Sequence, residues 1–250
     1  MATQAPLIRF VDVHKSFGQQ AVLRGVSFEL GHGRTLGIMG GSGTGKSVTL
    51  RHVIGLLVPD AGLVEVDGHD MSHVGPSELA ALRKRMGYVF QEGALINWLT
   101  VAENLALPLR ENTRLGEAEI AQRVQEKLEW VHIPDAGAKY PAEISGGMKK
   151  RVGLARALIT DPEIILYDEP NAGLDPEISG SINRLIRELA DRLQVTALAV
   201  EHRVGCLKTI ADEVIFLHEG RVLVHEPVEK FFRPTHPRLI QFLADELHGS

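Results

Sequence analysis

The chain holds a single cysteine, Cys206, among 250 residues, so no disulfide can form within it. Such cysteine poverty fits a reducing compartment. The neighbours of Cys206 form no activated-thiol pattern, and a buried, inert thiol is expected there. Aromatic residues are scarce at 5%. No run of about 18 apolar residues occurs, which excludes a bilayer-spanning helix. Positive charge is in deficit: 27 Lys and Arg face 32 Asp and Glu, a net charge of −5. That balance offers no basic field for a phosphate backbone, so no nucleic-acid partner is expected. Met1-Ala2-Thr3-Gln4-Ala5-Pro6 lacks a charged head and an apolar run, so no secretory leader is expected either. Repeats and low-complexity segments are also missing.

What is present is ordinary in bulk and specific in detail. An apolar share of 44% with 24% charged residues is that of a globular protein. The length suits one large α/β domain, or one domain with an inserted lobe. Apolar-rich segments at Leu7 to Val13 and Ala21 to Leu30, parted by a turn at Gly18, predict strands. Arg34 to Met39 predicts a buried strand that runs into a Gly-rich loop, followed by a helix over Lys46 to Leu57. Strands are expected at Leu63 to Val66 and Met86 to Phe90, with a polar helix from Ser77 to Lys84 between them. From Gln91 to about Ser145 the pattern turns helical, with Ile120, Val124, Leu128 and Val131 at helical spacing. Strand character returns at Ile164 to Asp168. A helix follows with Ile178, Ile182, Leu185, Ile186, Leu189 and Leu193 on one face, then a strand at Val195 to Val200. A hairpin is expected around Glu219-Gly220, and the tail from Pro227 is amphipathic enough to pack. Alternation of strands and helices predicts a mostly parallel sheet covered on both faces.

Gly40-Gly41-Ser42-Gly43-Thr44-Gly45-Lys46-Ser47 fits G-x-x-x-x-G-K-[ST] between a strand and a helix, the context this phosphate loop requires. Its glycines let backbone N–H groups wrap phosphates, Lys46 reaches the β and γ oxygens, and Ser47 can ligate Mg²⁺. Asp168-Glu169 ends an apolar strand, where a carboxylate sits beside such a loop. Asp168 would hold the Mg²⁺ shell and Glu169 would polarise the attacking water. Ser145-Gly146-Gly147 is a second anion site at a helix start. One nucleotide clasped between two copies of the chain accounts for both sites. The triplet Lys149-Lys150-Arg151 behind it reads as a solvated helix start.

Taken in order, the phosphate loop, Gln91, Ser145-Gly146-Gly147-Met148, Asp168-Glu169, Ala172-Gly173-Leu174-Asp175 and His202 resemble the ATPase subunits of ABC transporters over roughly residues 7 to 225. The resemblance implies a P-loop NTPase fold: a mostly parallel core sheet, an N-terminal antiparallel β subdomain and a helical subdomain inserted at about residues 92 to 150. All of it would form a single ATPase domain, 1 to 250, with a tail from about 227. It also implies that Gln91 contacts Mg²⁺ and the attacking water, that Ser145 to Gly147 bind the γ-phosphate across a dimer, that Asp175 connects the two sites, and that His202 contacts the γ-phosphate. Phe17 matches the aromatic that stacks on adenine; a core aromatic at a strand edge is the less favoured alternative. ATP, Mg²⁺, a second copy and an integral membrane permease are the implied partners, at the cytoplasmic face of the inner membrane.

Two departures from the family pattern matter. Met148 stands where glutamine is usual, and His202 is flanked by Glu201 and Arg203. Glu201 is expected to bring negative charge near the γ-phosphate, with Arg203 offsetting it. The Ser-Gly-Gly-Met signature, with Gly93-Ala94-Leu95 and the run Pro108-Leu109-Arg110-Glu111, is similar to the ATPases of MCE-type lipid transporters such as the Mla phospholipid system. That likeness adds phospholipid cargo and an MCE-domain partner to the expectations. The competing readings are an ABC-type ATPase outside transport, such as an iron–sulfur assembly subunit, an importer ATPase for another substrate such as an amino acid, and a nucleotide-binding regulator that does not hydrolyse. The intact Glu169 and His202 oppose the last.

Overall fold

The computed structural model describes residues 5–91 and 93–248. The expectations at Met1 to Gln4, at Glu92 and at Gly249-Ser250 lie outside the described residues. β1 (Ile8–Phe17) and β2 (Gln20–Leu30) form an antiparallel hairpin that turns through Gly18. β3 (Thr35–Met39) leads into α1 (Lys46–Val53), and β4 (Ala61–Val66) and β5 (His69–Asp70) follow. The first sheet has the order β2-β1-β4-β5 and is antiparallel. Next come α2 (Pro76–Lys84), β6 (Met86–Val89), α3 (Val101–Asn112), α4 (Glu117–Trp130) and α5 (Gly146–Leu158). The chain continues through β7 (Ile164–Asp168), α6 (Pro176–Leu193), β8 (Thr196–Val200), α7 (Val204–Ile210), β9 (Glu213–His218), β10 (Arg221–Pro227), α8 (Val228–Phe231) and α9 (Pro237–His248).

The second sheet has the order β10-β9-β3-β8-β7-β6, parallel except for the edge pair β10 and β9. Every residue of β3 and β8 is buried, as expected for parallel strands covered on both faces. Alternation along the strands divides the interior in two. Leu36, Ile38, Ile164 and Leu166 join the core shared with the antiparallel sheet, while Met39, Ile165 and Tyr167 face the helices. α4 buries Ile120, Val124 and Leu128, so the expected helical face exists. α3 starts in a capping box, Thr100 Oγ1 accepting from Glu103 N and Glu103 Oε2 from Thr100 N.

Three elements differ from expectation. α1 ends at Val53 rather than Leu57 because Gly55 takes φ 69 and turns the chain out. Ile178 is not part of the buried face of α6; it lies at the exposed first turn and leans over Gly147, where a Cβ would stand 2.8 Å from its Cγ2. α7, a short helix absent from the sequence reading, packs Leu207 onto Gly37 of β3. The amphipathic tail does pack: α9 buries Leu239 and Leu243 in the helix-side core and sets Phe242 against Phe216, ring centroids 5.1 Å apart.

Candidate nucleotide site

The carboxyl ends of β3, β6, β7 and β8 converge on one edge of the parallel sheet, the place where open α/β sheets bind ligands. β3 delivers the loop Gly40 to Ser47. A Cβ on Gly40 would come within 2.2 Å of the Leu217 carbonyl oxygen, so no side chain fits. Gly45, at φ 106, caps α1 in a backbone conformation that favours glycine. Lys46 is 9% exposed, and its ammonium donates to the carbonyls of Gly40 at 2.8 Å and Gly41 at 2.9 Å. Burial lowers its pKa most; Glu169, Glu246 and Asp168 counter that with negative charge. Thr44 Oγ1 donates to Gly41 O at 2.9 Å, and Ser42 and Gly43 are exposed at the loop tip.

β7 supplies Asp168, and Glu169 follows it directly. Ser47 Oγ donates to Asp168 Oδ1 at 2.9 Å, and the Tyr88 hydroxyl, on β6, donates to Asp168 Oδ2 at 2.9 Å. Burial, and after it the Asp168 charge, pushes the Tyr88 hydroxyl well above the ordinary phenol range. Glu169 adopts φ 47, with its N–H donating to Val200 O at 3.0 Å. Gln91 Nε2 donates to Glu169 Oε2 at 3.4 Å, and His202 Nδ1 lies 3.8 Å from Glu169 Oε1. Phe17 is 46% exposed at the end of β1, which removes the core-aromatic reading. Its register partner Gln20 lines a cleft shared with Ser42, Gly43 and Thr44 and with His218 to Gly220.

The signature residues stand apart from this cluster. Ser145 caps α5, accepting from Met148 N at 3.3 Å, and Ser145 and Gly146 are exposed while Gly147 is buried. Among the described residues no hydrogen bond joins them to the loop Gly40 to Ser47. Asp175 caps α6 by accepting from Ile178 N at 2.9 Å.

Two expectations are corrected. Lys149-Lys150-Arg151 is not a solvated helix start. Lys150 is 7% exposed and donates to Gln91 O, while Arg151 donates to Val131 O and Ser181 Oγ at 2.8 Å each. Among the described residues Glu201 and Arg203 form no ion pair through which one would offset the other. Glu201 is fully buried and accepts backbone N–H groups, and the Arg203 guanidinium reaches Leu174 O and Ser179 Oγ instead. Cys206 is buried, and desolvation, with Glu201 next, raises its thiol pKa; an inert thiol is what the sequence implied.

Sequence reading missed Tyr88, whose signal was a phenol in an otherwise apolar strand. It also missed Asn104, whose buried amide donates to Ile96 O, Leu99 O and Thr100 O and accepts from Ile96 N, fixing the loop after Gln91. Arg156 anchors the same loop by donating to Gly93 O and Ala94 O. Among the described residues no group of three or more His, Cys, Asp or Glu could hold a metal ion. The oxygens of Ser47, Asp168 and Gln91 are hard donors, and such a set suits Mg²⁺ when phosphates complete its shell. No helix among the described residues is long and apolar enough to cross a membrane.

Residues 23–172 match the family model described as ABC transporter. The chain is 40% identical to the methionine import ATP-binding protein MetN of Brucella abortus (strain 2308), over 98% of this chain and 68% of that protein. It is also 40% identical to the probable ribonucleotide transport ATP-binding protein mkl of Mycobacterium leprae (strain TN), over 92% of this chain and 66% of that one. Neither name is that of a lipid transporter. The fold is similar to the ATP-binding cassette MJ0796, solved as a dimer in a post-hydrolysis state with ADP and Pi, at a TM-score of 0.80 and 30% identity over 88% of this chain and 98% of that one. It is similar too to cbiO1 of Clostridium perfringens, part of the ABC transporter complex cbiONQ, at 0.85 and 26% identity over 97% of this chain and 95% of that one.

Proposed function

The chain belongs to the ABC transporter family and is an ATP-binding, ATP-hydrolysing cassette of it; from that premise we propose that two copies close head to tail around two ATP molecules and drive a membrane permease that moves phospholipid. The observation that carries the ATPase part is the convergence of Lys46, Ser47, Asp168, Glu169, Gln91 and His202 at one sheet edge, with an exposed Ser145-Gly146 end left on α5.

The residues divide the work. Lys46 exchanges the Gly40 and Gly41 carbonyls for the β and γ oxygens, a trade of neutral acceptors for charged ones. Ser47 and Asp168, with the amide oxygen of Gln91, would hold Mg²⁺, which when bound neutralises charge on the β and γ oxygens. Glu169 accepts the proton of the water whose oxygen attacks the γ-phosphorus as the bond to the bridging oxygen breaks. His202 contacts the γ-phosphate, Phe17 carries adenine on its exposed face, and Ser145 to Gly147 of one copy reach the γ-phosphate bound by the other. Asp175 lies between the two sites.

The groove of about 690 Å³ lined by Tyr88, Phe90, Ala94, Ile96, Leu107 and Pro108 suits a cytoplasmic helix of the permease, which would hold the cassette at the inner face of the membrane. Phospholipid cargo rests on Met148 and on the Gly93 to Leu95 and Pro108 to Glu111 segments; an amino-acid importer is the second reading, favoured by the 40% identity to methionine import proteins. Affinity purification of the tagged chain from its own cells, with mass spectrometry of proteins and lipids, separates them. A permease with an MCE-domain protein and bound phospholipid is expected. A permease with a soluble amino-acid-binding protein would overturn the lipid reading.

A further inference from the structure

A carboxylate with no solvent exposure needs a reason, because burial of an unpaired charge is costly. Glu201 is such a group: it follows β8 directly and is 0% exposed. Its backbone N–H donates to Ile38 O, on the strand that feeds the phosphate loop, at 3.2 Å. Its Oε1 accepts two N–H groups in succession, from His202 at 2.9 Å and from Arg203 at 3.1 Å. The same oxygen lies 3.4 Å from His202 Nδ1. The carboxylate therefore ties down the peptide on which the imidazole is mounted, and it adds a second contact to the ring.

Arg203 continues the chain of contacts in the other direction. Its Nη1 donates to Leu174 O at 3.1 Å and to Ser179 Oγ at 2.8 Å. Leu174 directly precedes Asp175, and Ser179, 6% exposed, lies in the first turn of the helix that Asp175 caps. The turn carrying His202 is thus joined by side chains to β8 behind it and to the Asp175 loop beside it.

We propose that Glu201 and Arg203 are positioning residues for His202: Glu201 fixes its peptide, and Arg203 couples its turn to the Leu174-Asp175 loop, so that the imidazole is aimed only while that loop is in place. The proposal rests on the reading of His202 as the γ-phosphate contact. It also gives the two departures that flank His202 a place in the scaffold: Glu201 is buried against the His202 and Arg203 peptides, and Arg203 reaches Leu174 O and Ser179 Oγ.

A mutant cycle tests it on the purified full chain, with kcat, KM for ATP and melting temperature measured for each variant. Arg203→Met removes the donors and keeps the bulk; kcat should fall about tenfold with KM changed less than about twofold, a loss confined to the catalytic step. Arg203→Lys, still able to donate to Leu174 O, should recover most of the rate. Ser179→Ala removes one acceptor and leaves the guanidinium, so it should show the same kind of loss, about threefold, and it serves if Arg203→Met does not fold. Glu201→Gln, which keeps the accepting oxygen, should retain the rate that Glu201→Ala loses. In a His202→Ala background Arg203→Met should lower kcat no further, because its only route to the chemistry is gone. Multiplying losses in that background, or a KM rise that accounts for the whole effect, would overturn the proposal while leaving His202 in its role. Wild-type hydrolysis by His202→Ala alone would sink the reading of His202 itself, and this proposal with it.

Discussion

Glu169 is held in a backbone conformation that few residues of its kind adopt. A φ of 47 at a non-glycine position is uncommon and is kept only where the surroundings enforce it. Here the Val200 carbonyl accepts its N–H, Gln91 donates to one carboxylate oxygen, and His202 stands near the other. The side chain is thereby aimed before any nucleotide arrives, which is what a proton acceptor needs. Glu169→Gln keeps the shape and removes the basicity. ATP binding, followed with a fluorescent nucleotide, should stay within about twofold, and phosphate release should fall by about 10² to 10⁴. Near-normal release would remove Glu169 from its assigned role. Lys46→Ala is the contrasting control: it deletes the buried ammonium assigned to the phosphates, so both signals should vanish.

At the scale of elements, α9 shows how a peripheral helix can matter to the site without touching chemistry. Leu239 and Leu243 enter the helix-side core, Phe242 packs on Phe216 of β9, and Phe216 is the register partner of Met39, the last residue before the phosphate loop. Leu239→Ala should cost about 2 to 4 kcal/mol in urea unfolding, with KM for ATP unchanged at temperatures where the protein stays folded. A variant as stable as the parent would show that α9 adds nothing to the core. Elements with a strong local pattern were legible in sequence: β3, β7 and β8 as short apolar runs, α4 and α6 by their spacing, and the β9–β10 hairpin by Glu219-Gly220. What escaped depended on long-range partners. α7 has seven residues, too few to show a period, and is fixed by packing on Gly37. Lys150 and Arg151 looked like solvent-facing charges because the carbonyls that receive them, on Gln91 and Val131, are far away in sequence. Tyr88 joined the site only once β6 was placed beside β7. The phosphate loop was legible because its motif lies within eight consecutive residues, although the Leu217 carbonyl that excludes a side chain at Gly40 is remote in sequence.

The whole molecule presents two half-sites that do not meet. Lys46, Ser47, Asp168 and Glu169 gather at the carboxyl edge of the parallel sheet, whereas Ser145 opens α5, a helix packed on α3, α4, α6 and β6. The N–H groups at the start of α5 carry the positive end of a helix dipole, and Ser145 and Gly146 there are exposed. In the proposed dimer, an ATP held on the phosphate loop of one copy would supply the anion that such an end lacks. Closure of two copies should therefore depend on nucleotide, and hydrolysis should release it, giving the two states that a permease can follow. Ser145→Arg tests this at its weakest point. The substitution removes the cap on Met148 N, at a cost of about 0.5 to 2 kcal/mol, and puts bulk and positive charge where the proposed dimer would place the partner's γ-phosphate. Binding of ATP to the single chain should be unchanged, because among the described residues no hydrogen bond joins Ser145 to the loop Gly40 to Ser47. In a Glu169→Gln background, where ATP is not consumed, light scattering should show a mass that doubles with ATP for the parent and stays at one chain for Ser145→Arg. A doubled mass in the variant would mean that the two copies join through some other surface, and the signature would lose its place in the interface.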